Sequence, residues 1–302
     1  MKIHRLFVVL SFAAVIAAGA SVSLGQKAKP AAKTQKKIIF AVLSDGKSLE
    51  PIAYINKGKL EPTVNGSDEK SIVTAFSNSY YKAGAVYRLI FGGADVGSVT
   101  VKSSNVKSEC ASNTANAVTV SPKTTLKGMI MGLATNANTK KTGFFRRKPT
   151  VEEKSEIDGL VRSEYSNQKL TAKVLHYQNL TAIDVNNDGK AEFVGSYWIE
   201  VDKTTRALLF FIAEKGPDGK YAMGYTEYRS IDKEGVMSKD IKDVDNGIYH
   251  ELFLDSFDYD GDGVADIFTY KQSFEGAGFA AYKKADGKWT RTYEFDNYHC
   301  GY

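Results

Sequence analysis

Histidine and cysteine are scarce in this chain, four of the first and two of the second among 302 residues. His4 lies in the extreme N-terminal segment, which leaves His176, His250 and His299 for any chemistry. The sequence holds no HExxH pair, no GxSxG turn and no Cys-x-x-Cys, so the common metalloprotease, serine-hydrolase and dithiol signatures are missing. His299 adjoins Cys300, but consecutive side chains of a strand point to opposite faces, poor geometry for a nucleophile and its base. Neither Gly92-Gly93 nor Gly276-Ala277-Gly278 opens a helix with a P-loop lysine, and both read as tight turns. After the first twenty residues no apolar run is long enough for a bilayer crossing of roughly 20 residues. No stable membrane span is therefore expected in the mature chain.

The N-terminus is different in kind. Lys2 and Arg5 precede an apolar run from Leu6 to Ala20, followed by small residues. This is the three-part layout of a secretory signal peptide, expected over residues 1–25. Residues 26–37 are Lys, Ala, Gln and Pro with little to bury and read as a solvated tether. A secreted, periplasmic or cell-envelope location follows as the expectation. In such an oxidising compartment Cys110 and Cys300 are expected to pair, two free thiols being the alternative. A bond closing so long a loop contributes at most about 5 kcal/mol in the chain-entropy model.

Charge divides along the chain. Residues 26–170 hold 23 Lys and Arg against 12 Asp and Glu, and residues 171–302 hold 15 against 23. The basic front suits anionic surfaces such as polysaccharide, although a solvated lysine-rich face needs no ligand. Nucleic acid is not an expected partner of an exported chain with an acidic back half.

The hydrophobic pattern predicts a mainly β protein with minor α. A small β-rich N-terminal domain is expected over residues 38–136, with a strand at Lys37–Leu43, a helix within Ser67–Tyr80 capped by Ser67, and a hairpin of Val86–Phe91 with Val96–Lys102 across Gly92-Gly93. Leu126–Leu133 reads as a further strand, and residues 137–149 as a linker. From residue 150 to 302 a helix leads into a second β domain. Thr150 with Glu153 makes a capping box, and Ile157, Leu160, Val161 and Tyr165 share one helical face. The rest reads as two antiparallel β-meander units, starting near Lys173 and Ile248. Each contains an acidic loop and then an Asp-Gly-Lys-aromatic turn, Asp218–Tyr221 in one and Asp286–Trp289 in the other.

The acidic loops carry the chemistry. They read Asp184-Val185-Asn186-Asn187-Asp188-Gly189-Lys190-Ala191-Glu192 and Asp258-Tyr259-Asp260-Gly261-Asp262-Gly263-Val264-Ala265-Asp266. Both fit D-x-[DN]-x-D-G-x-x-[DE]. Calcium takes six to eight oxygens, and alternate positions of a tight loop can aim carboxylates at one point. The expected ligands are Asp184, Asn186, Asp188, the Lys190 carbonyl and Glu192 in the first loop. In the second they are Asp258, Asp260, Asp262, the Val264 carbonyl and Asp266. Ordinary acidic turns are the alternative. An EF-hand is not expected, because its bidentate Glu at position twelve is replaced by Gly195 and Thr269, and strand-like sequences flank both loops.

The segments Leu180–Gly195 and Leu254–Tyr270 resemble FG-GAP/VCBS repeats, the calcium-loop units of integrin-like β-propellers. The resemblance implies a structural calcium in each of the two loops and blade-like β-meanders around them. Two units are too few to close a propeller. The resulting expectation is an exported, calcium-binding, non-catalytic module that binds a surface glycan or an envelope or extracellular protein. A hydrolase working through a carboxylate pair, on polysaccharide or ester, and a purely structural envelope protein remain open at this level.

Overall fold

Lys37–Leu43 is apolar without alternation because both of its faces are covered. In the computed structural model, which describes residues 35–128, 130–138 and 145–300, this segment is strand β1. Ile38, Phe40 and Val42 enter one apolar cluster, Ile39 and Ala41 another. The expected signal peptide, most of the tether and the middle of the expected linker lie outside the described residues.

After β1 the chain forms β2 (Ser48–Asn56), β3 (Lys59–Pro62), α1 (Lys70–Tyr80), β4 (Val86–Phe91), β5 (Ala94–Ser104), β6 (Ala115–Val120) and β7 (Gly132–Thr135). Antiparallel pairings run β1-β7-β4-β5-β6-β2, and β2 pairs back to β1, closing six strands into a barrel with β3 attached to β2. Phe40, Leu49, Tyr87, Leu89, Val99 and Val101 form its core with Val73, Phe76 and Tyr80 of α1. The helix begins at Lys70 with Glu69 at the N-cap position, so Ser67 lies outside the cap, and its amide and hydroxyl both donate to Asn65 Oδ1. The strand expected over Leu126–Leu133 is confined to Gly132–Thr135.

Two further antiparallel sheets follow. The first contains β8 (Arg146–Arg147), β9 (His176–Ile183), β10 (Glu192–Glu200), β11 (Thr205–Lys215) and β12 (Tyr221–Asp232), with α2 (Val151–Asn167) inserted between β8 and β9. The short α3 (Lys242–Asp245) leads to the second, a meander of β13 (Glu251–Phe257), β14 (Asp266–Gln272), β15 (Gly276–Ala285) and β16 (Lys288–Tyr298). At the start of α2 the capping box is complete, Thr150 Oγ1 accepting from Glu153 N and Glu153 Oε2 from Thr150 N. Among the described residues no helix is long and apolar enough to cross a membrane.

Every position of β13 is buried, because the second sheet lies between two neighbours. Leu252 and Leu254 join Ile39, Ala41 and Ile52 of the barrel, whereas Phe253, Ile267 and Tyr282 join Ile183, Val194 and Phe210 of the first sheet. On the far side of the first sheet, Phe193, Tyr197 and Phe211 meet Ile157, Val161 and Tyr165 of α2, with Leu160 partly buried beside them. The order of layers is thus barrel, second sheet, first sheet, helix. Within each meander the acidic loop joins the first strand to the second, and the Asp-Gly-Lys turn joins the third to the fourth.

Arg146, expected in a linker, is instead a strand residue held in the interior. Its guanidinium donates to Met131 O, Leu254 O and Asp255 Oδ2, 2.8 Å away, and lies over the rings of Phe91 and Phe253. Fully buried Asp255 also accepts from Gly92 N and Gly93 N of the β4–β5 turn. One carboxylate therefore ties the barrel, β8 and the second sheet together.

Candidate metal centre

The two acidic loops have one backbone conformation in common. Asn187 and Gly261 occupy position four with positive φ, as do Gly189 and Gly263 at position six. A left-handed residue there lets the following amides turn inward. In the first loop Asp188 N and Gly189 N donate to the two oxygens of Asp184, and Lys190 N donates to Asp188 Oδ1 at 2.8 Å. In the second, Gly261 N and Gly263 N donate to Asp258, and Val264 N donates to Asp262 Oδ1 at 2.9 Å. Each set of side chains is thereby locked around its own turn.

In the second loop, carboxylate oxygens of Asp258, Asp260 and Asp262 lie within 4.8 Å of one another. Position nine differs between the loops in a telling way. Buried Glu192 accepts from Val185 N at 3.1 Å. Asp266 is one methylene shorter and only 1% exposed, and neither of its oxygens has a hydrogen-bond partner. Burial, partly opposed by the Lys283 ammonium and helped by the other loop carboxylates, pushes the Asp266 carboxyl up to about 8. Burial likewise pushes Glu192 up to about 7. An unpaired buried carboxylate is costly unless it is paired, protonated or bound to a metal. The donor set is all oxygen, which suits a hard cation such as calcium.

The loops are also neighbours. Ala265 N donates to Val185 O at 2.8 Å, and Val185 and Ala265 are buried in the cluster between the two sheets. The sequence-expected residues Asp184, Asn186, Asp188, Lys190 and Glu192 therefore lie on one turn, and Asp258, Asp260, Asp262, Val264 and Asp266 on the adjacent one, but among the described residues only Asp258, Asp260 and Asp262 bring their carboxylates together. A residue absent from the sequence reading joins the second set. Lys283 of β15 donates from Nζ to Asp260 Oδ2 and, at 2.7 Å, to Asp262 Oδ2. Nothing local in the sequence marks it, because strand pairing brings it in from 21 residues away.

Cys110 and Cys300 are disulfide-bonded. Beside the bond His299 Nε2 meets buried Glu50 at 2.7 Å, a pair that raises the imidazole above its ordinary range. His299 thus turns to Glu50 in a hydrogen bond.

No protein-family model matches the chain, and no curated protein and no solved structure matches it.

Proposed function

We propose that this chain is an exported module stabilised by two calcium ions, one in each acidic loop, and that it binds a surface glycan or an envelope or extracellular protein rather than catalysing a reaction. The observation that carries the calcium reading is Asp266, a buried carboxylate without a hydrogen-bond partner beside three clustered aspartates. Asp184, Asn186, Asp188, Glu192 and the Lys190 carbonyl would hold the first ion. Asp258, Asp260, Asp262, Asp266 and the Val264 carbonyl would hold the second. Calcium supplies positive charge that offsets carboxylates crowded at a strand entrance, and so rigidifies the turn from one strand to the next.

The equivalent placement of loop and turn in the two meanders supports reading them as blade-like units of the FG-GAP/VCBS kind. The N-terminal basic and apolar segment, together with the disulfide, supports export. Calorimetric titration tests the metal claim, with two saturable calcium equivalents per chain expected and none for magnesium at the same concentration. Retention on isolated cell envelopes, with and without chelator, tests the binding claim. Turnover of a polysaccharide or ester that is lost on changing a carboxylate outside the loops would replace it with the hydrolase reading.

A further inference from the structure

The two loops differ in two charges, since Asp260 stands in the second where Asn186 stands in the first, and Lys283 joins the second alone among the described residues. In the second, backbone amides hold one oxygen each of Asp260 and Asp262, while the other oxygen of both accepts from the Lys283 ammonium. In the first, the corresponding oxygen of Asp188 accepts from the neutral Asn186 amide at 3.3 Å. Strand register locates the difference. Ile267 of β14 faces Tyr282 of β15, and Phe193 of β10 faces Ala213 of β11. Position 283 therefore corresponds to 214, where the first sheet carries Glu214. That glutamate is engaged by Lys284 and by Trp289 Nε1. A lysine at this register is thus particular to the second loop.

Resting on the calcium reading, we infer that Lys283 is a tethered internal cation that competes with the divalent ion for Asp260 and Asp262, holding the affinity of the second loop below what its four carboxylates alone would give. The ammonium satisfies two of the four carboxylates and leaves Asp266 without a hydrogen-bond partner, so it stands in for the ion only in part. The Lys283 side chain is 23% exposed, and its flexible stem lets the charge swing outward when an ion enters. The first loop keeps three carboxylates and one amide, and among the described residues no lysine side chain donates to them. Affinity in oxygen-ligand loops follows ligand charge count; four carboxylates give the second loop one more ligand charge than the first, and the Lys283 ammonium offsets that advantage.

The test uses the full mature chain in an Asp188→Ala background, so that the second loop is the site observed, titrated with calcium chloride by calorimetry. Lys283→Met is expected to tighten calcium binding by roughly tenfold or more, because a unit charge is removed within a few ångströms of the ion. Lys283→Arg is expected to stay within about threefold of its parent. Far-UV circular dichroism and the melting curve in chelator check folding, and Lys283→Gln repeats the neutralisation with a polar side chain. Unchanged or weaker binding in both neutral variants, with folding intact, overturns this inference and leaves the calcium reading standing. No saturable heat in the parent or in either neutral variant overturns calcium binding at the second loop, and this inference with it.

Discussion

At the scale of single residues, Asp266 decides most. Its carboxylate is buried with no donor on either oxygen, so the protein without metal holds an unfavourable group where the protein with calcium gains a ligand. Asp266→Asn should therefore change sign with conditions. In chelator near neutral pH it is expected to stabilise by about 1–3 kcal/mol, since it removes a carboxyl that stays buried only by holding a proton. In millimolar calcium it should destabilise relative to wild type. Urea or thermal melts in the two buffers measure both arms, and a substitution that behaves alike in each contradicts the assignment. His250 makes a second prediction. It is fully buried, Nε2–H donates to Val244 O at 2.9 Å, and burial pushes the ring down to about 4. An unfolded histidine protonates near 6.5, so between about 6.5 and 4 the unfolded state binds more protons and stability falls as pH falls. The loss across that window is up to about 3 kcal/mol. His250→Gln should flatten the difference between melts at pH 7 and pH 4.5 by a comparable amount.

At the scale of elements, burial on two faces explains which parts the sequence disclosed. β1 reads as an unbroken apolar run because the barrel interior takes one face and the second sheet the other. The α2 capping box was legible because both of its partners lie within four residues. β8 was not legible, since Arg146 is a strand residue through its pairing with Ile183 of β9, and its guanidinium is held by Asp255, 109 residues away. Ser67 looked like a helix cap for the same local reason, but Glu69 takes the N-cap position, and the Ser67 donors go to a turn at Asn65. Lys283 was invisible because its relation to the second loop depends on the register of β14 with β15. The missing position-twelve ligand also has a physical counterpart, because a Cβ on Gly195 would lie 2.3 Å from the Phe211 ring. The element-scale prediction concerns Asp255. Asp255→Ala leaves the Arg146 guanidinium buried without its counterion and the Gly92 and Gly93 amides without an acceptor. Removing one partner of a buried pair costs about 3–5 kcal/mol, measurable as a drop in the urea midpoint. Joint replacement of Arg146 and Asp255 by Met and Leu should recover part of the loss.

At the scale of the whole molecule, the barrel and two sheets share apolar clusters, and the acidic loops sit where the two sheets meet. The sequence disclosed both loops and the cysteine pair. It did not disclose barrel closure, which depends on β1 pairing with both β2 and β7 across nearly 100 residues. Because the loops touch through Val185 and Ala265, an ion bound in either one would rigidify a junction common to both sheets. Loss of calcium should therefore lower the stability of the whole fold and not merely loosen two turns. The direct test is the thermal unfolding of wild type and an Asp188→Ala/Asp262→Ala double variant, each in calcium and in chelator. The account predicts a clear upward shift in wild-type Tm with calcium and no shift in the double variant. Equal Tm values for wild type in the two buffers, or an equal calcium shift in both proteins, would contradict it.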